Sequence, residues 1–185
     1  MASVLAEPTL ITGEALLTMS NSGPCELVQG RIVPMTPPGN DHGIVQALLI
    51  WYLQTFVIPR KLGWVTGGEA GIYTHRNPDS VRGMDVAFIS YVRQPARPRG
   101  YLRAAPELIV EILSPSDRWH NVQEKIEEYF GIGVDRVWIV DPANHRVSIY
   151  RSATEFIKLK HHDIVQGEGI LADFSLPLAE LFDEN

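Results

Sequence analysis

A chain of 185 residues, 45% of them hydrophobic, suits one globular domain that buries about 70% of its unfolded surface without covalent staples. Its net charge of −6 argues against a nucleic-acid binder acting by bulk attraction. The lone Cys25 excludes an intrachain disulfide, which makes a cytoplasmic location the simpler expectation.

Residues 1–10 carry no basic stretch and include Glu7, unlike a signal peptide. Residues 12–19 predict a short helix with Thr12 as N-cap, and 20–24 a loop. Residues 25–28 and 31–35 read as two strands about a Gln29-Gly30 turn, after which 36–40 break structure. Residues 41–58 predict a helix that is apolar almost all round and so belongs deep in the core. Its apolar run, 44–58, is interrupted by Gln46, Gln54 and Thr55 and is too short to span a bilayer, so no membrane is expected. Residues 63–73 are strand-like but glycine-rich.

Strands follow at 84–89, 107–113 and 136–140, the last ending in Asp141-Pro142. Between the second and third, residues 117–130 predict a helix whose apolar positions Trp119, Val122, Ile126, Tyr129 and Phe130 form one stripe. Gly131 and Gly133 end it. Residues 146–151 and 155–160 alternate as a hairpin, and 171–180 read as a strand end or turn leading into a short helix. Strand, helix, strand in this order implies a βαβ crossover within a mixed sheet. No internal repeat is present, and a single domain over 1–185 is expected.

The chemistry concentrates in two strands. Side chains alternate across a strand, so Leu108, Val110 and Ile112 share one face while Glu111 falls on the other among apolar neighbours. Asp85 sits in the same predicament in M-D-V-A-F-I. Carboxylates in apolar strands are costly without partners, and two of them can share a divalent cation such as Mg²⁺. The alternative is that Glu111 pairs with an arginine and Asp85 caps a turn. Between Asp85 and Glu107 there is no acidic residue, and the interval holds Arg93, Arg97, Arg99 and Arg103. These read either as a solvated loop or as a phosphate-contacting arm.

Several strings occur in a telling order: C-E-L-V-Q-G at 25–30, His42, V-R-G-M-D-V-A at 81–87, and A-P-E-L-I-V-E-I-L-S-P-S at 105–116. Lys125 with Tyr129, Gly133-Val134 and W-I-V-D-P at 138–142 complete the set. Over roughly residues 10–180 this resembles the Uma-two family of restriction-type endonucleases, which is similar to the PD-(D/E)XK nuclease superfamily. The resemblance implies an α/β restriction-endonuclease-like fold, a mixed sheet flanked by helices, and hydrolysis of DNA phosphodiesters with Mg²⁺ or Mn²⁺.

By that resemblance Asp85 stands for the aspartate of the PD element, with Met84 in place of the proline, and Glu111 for the acidic residue of the second element. The lysine two positions on is replaced by Leu113, so Lys125 on the following helix is the expected substitute; otherwise it is a surface lysine paired with Glu124 or Glu128. Glu26 matches a further acidic position and would hold the metal through water, or pair with an arginine in its hairpin. His42, at a helix start, would contact phosphate, or is an ordinary cap-region residue. The carboxylates of Asp85 and Glu111 are expected within about 6 Å, the span one divalent ion bridges. The resemblance also implies a homodimer, with the exposed face of the 146–160 hairpin as a possible contact. The competing reading is a non-catalytic binding or regulatory module that keeps the nuclease fold. Loss of the strand lysine favours it, and retention of both carboxylates disfavours it. An unrelated metal hydrolase lacks the histidine cluster it would need.

Overall fold

Period-two alternation is the main organiser of this chain, and the sheet it builds occupies the centre of the computed structural model, which describes residues 9–20 and 22–183. The reading of residues 1–10 falls outside the described residues as far as residue 8. The elements run α1 (Gly13–Thr18), β1 (Cys25–Val28), β2 (Arg31–Pro34), α2 (Asn40–Arg60), β3 (Gly63–His75), β4 (Ser80–Ser90), β5 (Leu108–Ile112), α3 (Trp119–Gly131) and β6 (Arg136–Asp141). There follow β7 (Arg146–Tyr150), β8 (Phe156–Lys160), β9 (Ile164–Gln166), β10 (Ser175–Pro177) and α4 (Ala179–Phe182). Strands are ordered β2-β1-β4-β5-β6-β7-β8, with β3 on the other side of β4. Among the described strands, only β5 and β6 pair in parallel, joined by α3 as the crossover; the other strand pairs are antiparallel. The fold is therefore the mixed α/β class expected, with a mostly antiparallel sheet.

Each face of the sheet takes one helix layer. Leu108, Val110 and Ile112 of β5 join Val86, Phe88, Trp138 and Val140 against Val45, Leu49, Leu53 and Val57 of α2. Ile109 turns the other way, with Ala87, Val137 and Ile139, against Val122, Ile126 and Tyr129 of α3. The β1–β2 turn has positive φ at both Gln29 (48°) and Gly30 (74°), the backbone that a two-residue hairpin requires. Thr12 caps α1 by accepting from the Ala15 N–H at 3.1 Å.

Four expectations need correction. The second helix is not buried all round: its core face is His42, Val45, Leu49, Leu53 and Val57, while Ile44, Trp51 and Ile58 are exposed. The sheet covers only one side of it, and the uniform apolarity of the sequence carried no period to reveal this. By length and composition alone α2, with 21 residues, is long and apolar enough to cross a membrane, a point the shorter 44–58 run did not suggest. Here its core face packs on β3, β4 and β5 instead. The third helix begins at Trp119 rather than 117, because the Asp117 carboxylate closes a turn by accepting from the Ser114 N–H at 2.7 Å. Trp119, placed on that first turn beyond the sheet, is exposed rather than part of the stripe.

Candidate active site

The site forms where β4 loses its alternation. Met84 packs in the α3 layer and Val86 in the α2 layer, although in a regular strand they would share a face. The cause lies on β3, where Gly67 pairs with Val86 and Ala70 with Met84, so that Gly68 and Glu69 together oppose the single Asp85. This is a β-bulge, with φ of 72° at Gly68 and 61° at Glu69. It aims the Glu69 carboxylate over Gly83, where a Cβ would lie 2.6 Å from Oε2. On its other flank β4 pairs with β5 through Phe88–Leu108, Ala87–Ile109 and Val86–Val110, so the next positions in register are Asp85 and Glu111. There the ladder yields to a side chain: Asp85 Oδ2 accepts the Ile112 N–H at 2.6 Å.

His42, in the first turn of α2, brings Nε2 to 3.2 Å from Asp85 Oδ1. Its Nδ1 is buried without a partner. One ligating atom each from His42, Glu69 and Asp85 lies within 4.8 Å of the others. Burial pushes the Asp85 carboxyl up, but the hydrogen bonds from His42 and the Ile112 N–H outweigh it and hold the group below its ordinary range. Glu69 has no such donors. Burial of its carboxylate end, followed by the charge of Asp85, pushes it up to about 8, even though the residue as a whole stands exposed on its bulge. The hydrogen bond it donates to Asp85 keeps His42 protonated to higher pH than usual, against its burial.

Glu111 anchors the other half. Its Oε1 accepts from the Tyr129 hydroxyl at 2.7 Å, and its Oε2 lies 3.0 Å from Lys125 Nζ. Tyr129 and Lys125 are one turn apart on α3, so both reach the same carboxylate. Lys125 Nζ is also 2.9 Å from Glu26 Oε1. Burial pushes Glu111 up to about 7 in spite of Lys125, while the two flanking carboxylates raise the Lys125 ammonium in spite of its own burial. Lys125 is thus charged throughout the neutral range, and Glu111 is the member of the pair whose protonation changes near neutrality.

Glu26 is not drawn into the His42–Glu69–Asp85 group. Its Oε1 accepts the Gly83 N–H at 3.0 Å and its Oε2 an Arg82 N–H at 3.0 Å, so it meets the site through Lys125. Arg82 in turn is clamped by Glu128, with Nε at 2.8 Å from Oε2. Among the four arginines of the β4–β5 connection, Arg93 turns inward, 2.7 Å from Asp135 and 3.3 Å from Glu107, and donates to the carbonyls of Ala105 and Pro106. Arg103 pairs with Glu14 at 2.7 Å. Arg97 and Arg99 stand exposed.

Glu69 and Arg82 escaped the sequence reading. The only signal for Glu69 was the Gly67-Gly68 pair inside a strand, which marks a bulge without saying where the next side chain points. An arginine in a strand buried from end to end signals a buried acidic partner, and Arg82 is such a residue.

Donor chemistry fits a divalent cation. Two carboxylates and an imidazole converge, one carboxylate has its proton affinity raised by burial and then by its neighbour's charge, and a buried ring nitrogen of the same imidazole has no partner. A dication would relieve the repulsion between Glu69 and Asp85.

A mixed sheet with acidic groups converging from adjacent strands and a helix-borne lysine defines an α/β protein built around one charged centre. The chain belongs to the Uma2 family, whose model, described as "Putative restriction endonuclease", matches residues 14–179. Its fold is that of a solved structure described as "a putative nuclease belonging to DUF820" from Anabaena variabilis ATCC 29413. The two are 21% identical, with a TM-score of 0.78 over 93% of this chain and 97% of that one. No curated protein matches the sequence.

Proposed function

We propose that this protein is a metal-dependent DNA endonuclease of the cytoplasm, acting as a homodimer. One observation carries the reading: Asp85 and Glu111 are the register positions just beyond the last β4–β5 pair, Val86–Val110, and the Lys125 ammonium lies 3.0 Å from Glu111. Membership of the Uma2 family and the description of the Anabaena protein support it.

Asp85, Glu69 and His42 would hold Mg²⁺ or Mn²⁺ on one side of the centre, with Glu111 facing them. The ion, when bound, supplies Lewis acidity toward a phosphoryl oxygen. Glu111, poised near neutrality, takes the proton of the attacking water at Oε2. As the water oxygen bonds to phosphorus, the bond from phosphorus to the leaving sugar oxygen breaks. Lys125 stands beside that point as a fixed positive charge that steadies the developing charge on phosphate. Glu26 orients Lys125 and Tyr129 orients Glu111. Arg97 and Arg99 are the cations of the connection free to meet flanking phosphates.

The test is nicking of supercoiled plasmid with Mg²⁺ or Mn²⁺ and with chelator, beside Glu111→Gln. Metal-dependent nicking that falls about 10³-fold in the variant is expected, as for loss of a general base. Undiminished cleavage by Glu111→Gln would remove the assignment. Metal binding without cleavage of any DNA would leave a binding module on a nuclease fold.

A further inference from the structure

Helix α2 carries a solvent-facing stripe that no other described part of the chain covers. Ile44, Trp51 and Ile58 are 59%, 57% and 65% exposed. They are spaced by sevens, so they stand within about 20° of one another from step to step around the helix. Ala47, Leu48, Gln54 and Thr55 fill the gaps, and no Asp, Glu, Lys or Arg occurs from 42 to 59. Charge appears only at the ends, as Asp41 at the N-terminal end and Arg60 with Lys61 at the C-terminal end. An exposed tryptophan between two exposed isoleucines on a rigid helix is the composition of a contact centre.

The stripe is symmetric about Trp51. Ile44 and Ile58 lie equally far on either side, as do Ala47 and Thr55, and Asp41 and Lys61. A two-fold axis demands a patch of this kind, in which residue i meets residue j and j meets i.

We infer that this stripe joins two copies of the chain, α2 of one subunit lying antiparallel to α2 of the other and crossing it at Trp51 on the two-fold axis. Ile44 of each subunit then packs beside Ile58 of the other. The antiparallel sense sets each acidic helix end near the other subunit's basic end and opposes the helix dipoles, whereas a parallel pair would bring like ends together. A bilayer surface is a poorer match, because acidic Asp41 flanks the stripe and the chain carries a net charge of −6. The β8 edge is a poorer contact than α2, because Lys158 and Lys160 line it, and lysines on an edge strand discourage pairing. In the pair, the two His42 residues stand about 27 Å apart along the helix direction at 1.5 Å per residue. On the proposed nuclease reading that is about eight base-pair steps of duplex. The pairing through α2 deepens the homodimer of that reading and rests on it for the dimer, but not on DNA cleavage.

Sedimentation at about 10 µM and redox cross-linking test this without measuring cleavage. The wild type is expected to sediment at twice the chain mass. Trp51→Glu is expected to weaken association at least ~100-fold, as loss of a central aromatic anchor used twice in the interface does. It should keep the wild-type far-UV circular dichroism, because the side chain faces solvent within a subunit. In a Cys25→Ser background, Trp51→Cys is expected to cross-link to itself. Helices 8–10 Å apart bring Cα atoms on the axis to about 4–5 Å, within disulfide reach. Ile44→Cys alone should not cross-link, and Ile44→Cys with Ile58→Cys should. A monomeric wild type, a dimer that survives Trp51→Glu, or self-linking of Ile44→Cys would each overturn the assignment. So would a monomer that floats with phosphatidylcholine–phosphatidylserine vesicles, which would give the stripe to a membrane surface.

Discussion

Lys125→Met is expected to destabilise the fold by about 3–5 kcal/mol at pH 8, the cost of breaking a buried ion pair by removing one partner. The lysine side chain is 18% exposed and lies between Glu26 and Glu111, themselves 6% and 10% exposed. Arg82 remains to neutralise Glu26 in the variant, so the uncompensated charge falls chiefly on Glu111. That identifies the pH dependence. Burial already pushes Glu111 up to about 7, against an ordinary value of 4.5, and without Lys125 it rises further. Between the unfolded and folded values the native state binds more protons than the unfolded chain, so native stability falls as pH rises. The deficit of Lys125→Met relative to wild type should therefore be largest at pH 8 and shrink toward pH 5. Urea melts at pH 5, 6.5 and 8 measure it. The double variant with Glu111→Gln should recover much of the loss at pH 8, since no buried charge is then stranded. A deficit independent of pH, or a double variant as unstable as the single one, would show that Lys125 acts by packing alone. Turnover in Lys125→Met should fall far more than DNA affinity, as expected of a contact made mainly in the transition state.

What could be read from the sequence was whatever obeys a period. Leu108, Val110 and Ile112 alternate with Ile109 and Glu111, and the structure sends the two sets to opposite layers. Val122, Ile126 and Tyr129 repeat at helical spacing and form the face of α3 that covers the sheet. Where period failed, so did the reading. Uniformly apolar α2 gave no sign of which side would be left in solvent, because that depends on how many layers the fold stacks. Glu69 lies beyond sequence logic for a different reason: one extra residue in β3 rotates it onto Asp85, and strand parity places it elsewhere. Arg93 shows the limit of charge patterning. It belongs to a run of arginines without acidic neighbours in sequence, yet Glu107 and Asp135 reach it through the fold. Lys125 lies on the helix after β5, and the βαβ crossover carries it back over the strand it follows, to 3.0 Å from Glu111.

Affinity for a divalent cation is expected to rise at least ~30-fold from pH 6 to pH 8.5, and Glu69 is the residue that sets the window. Metal ligands bind in their deprotonated form, so every proton held by the empty site competes with the ion. Glu69, pushed up by burial and then by the Asp85 charge, loses its proton near pH 8. Glu111, pushed up by burial, loses its proton near pH 7. At pH 6 both are therefore mostly protonated, and at pH 8.5 both are mostly ionised. Asp85 contributes little to the slope, because His42 and the Ile112 N–H hold it ionised well below this range. Isothermal titration with Mn²⁺ in buffers of different ionisation enthalpy reads both quantities at once: affinity increasing with pH, and proton release that is greatest near pH 6.5 and fades by pH 9. Glu69→Gln should lower affinity at pH 8.5 and reduce the pH dependence above pH 7.5, where Glu69 contributes most. Asp85→Asn should abolish binding at every pH, since it removes the carboxylate of the site that stays ionised throughout this range. An affinity unchanged across this range in the wild type would mean that the ion, if it binds, avoids Glu69 and Glu111 altogether.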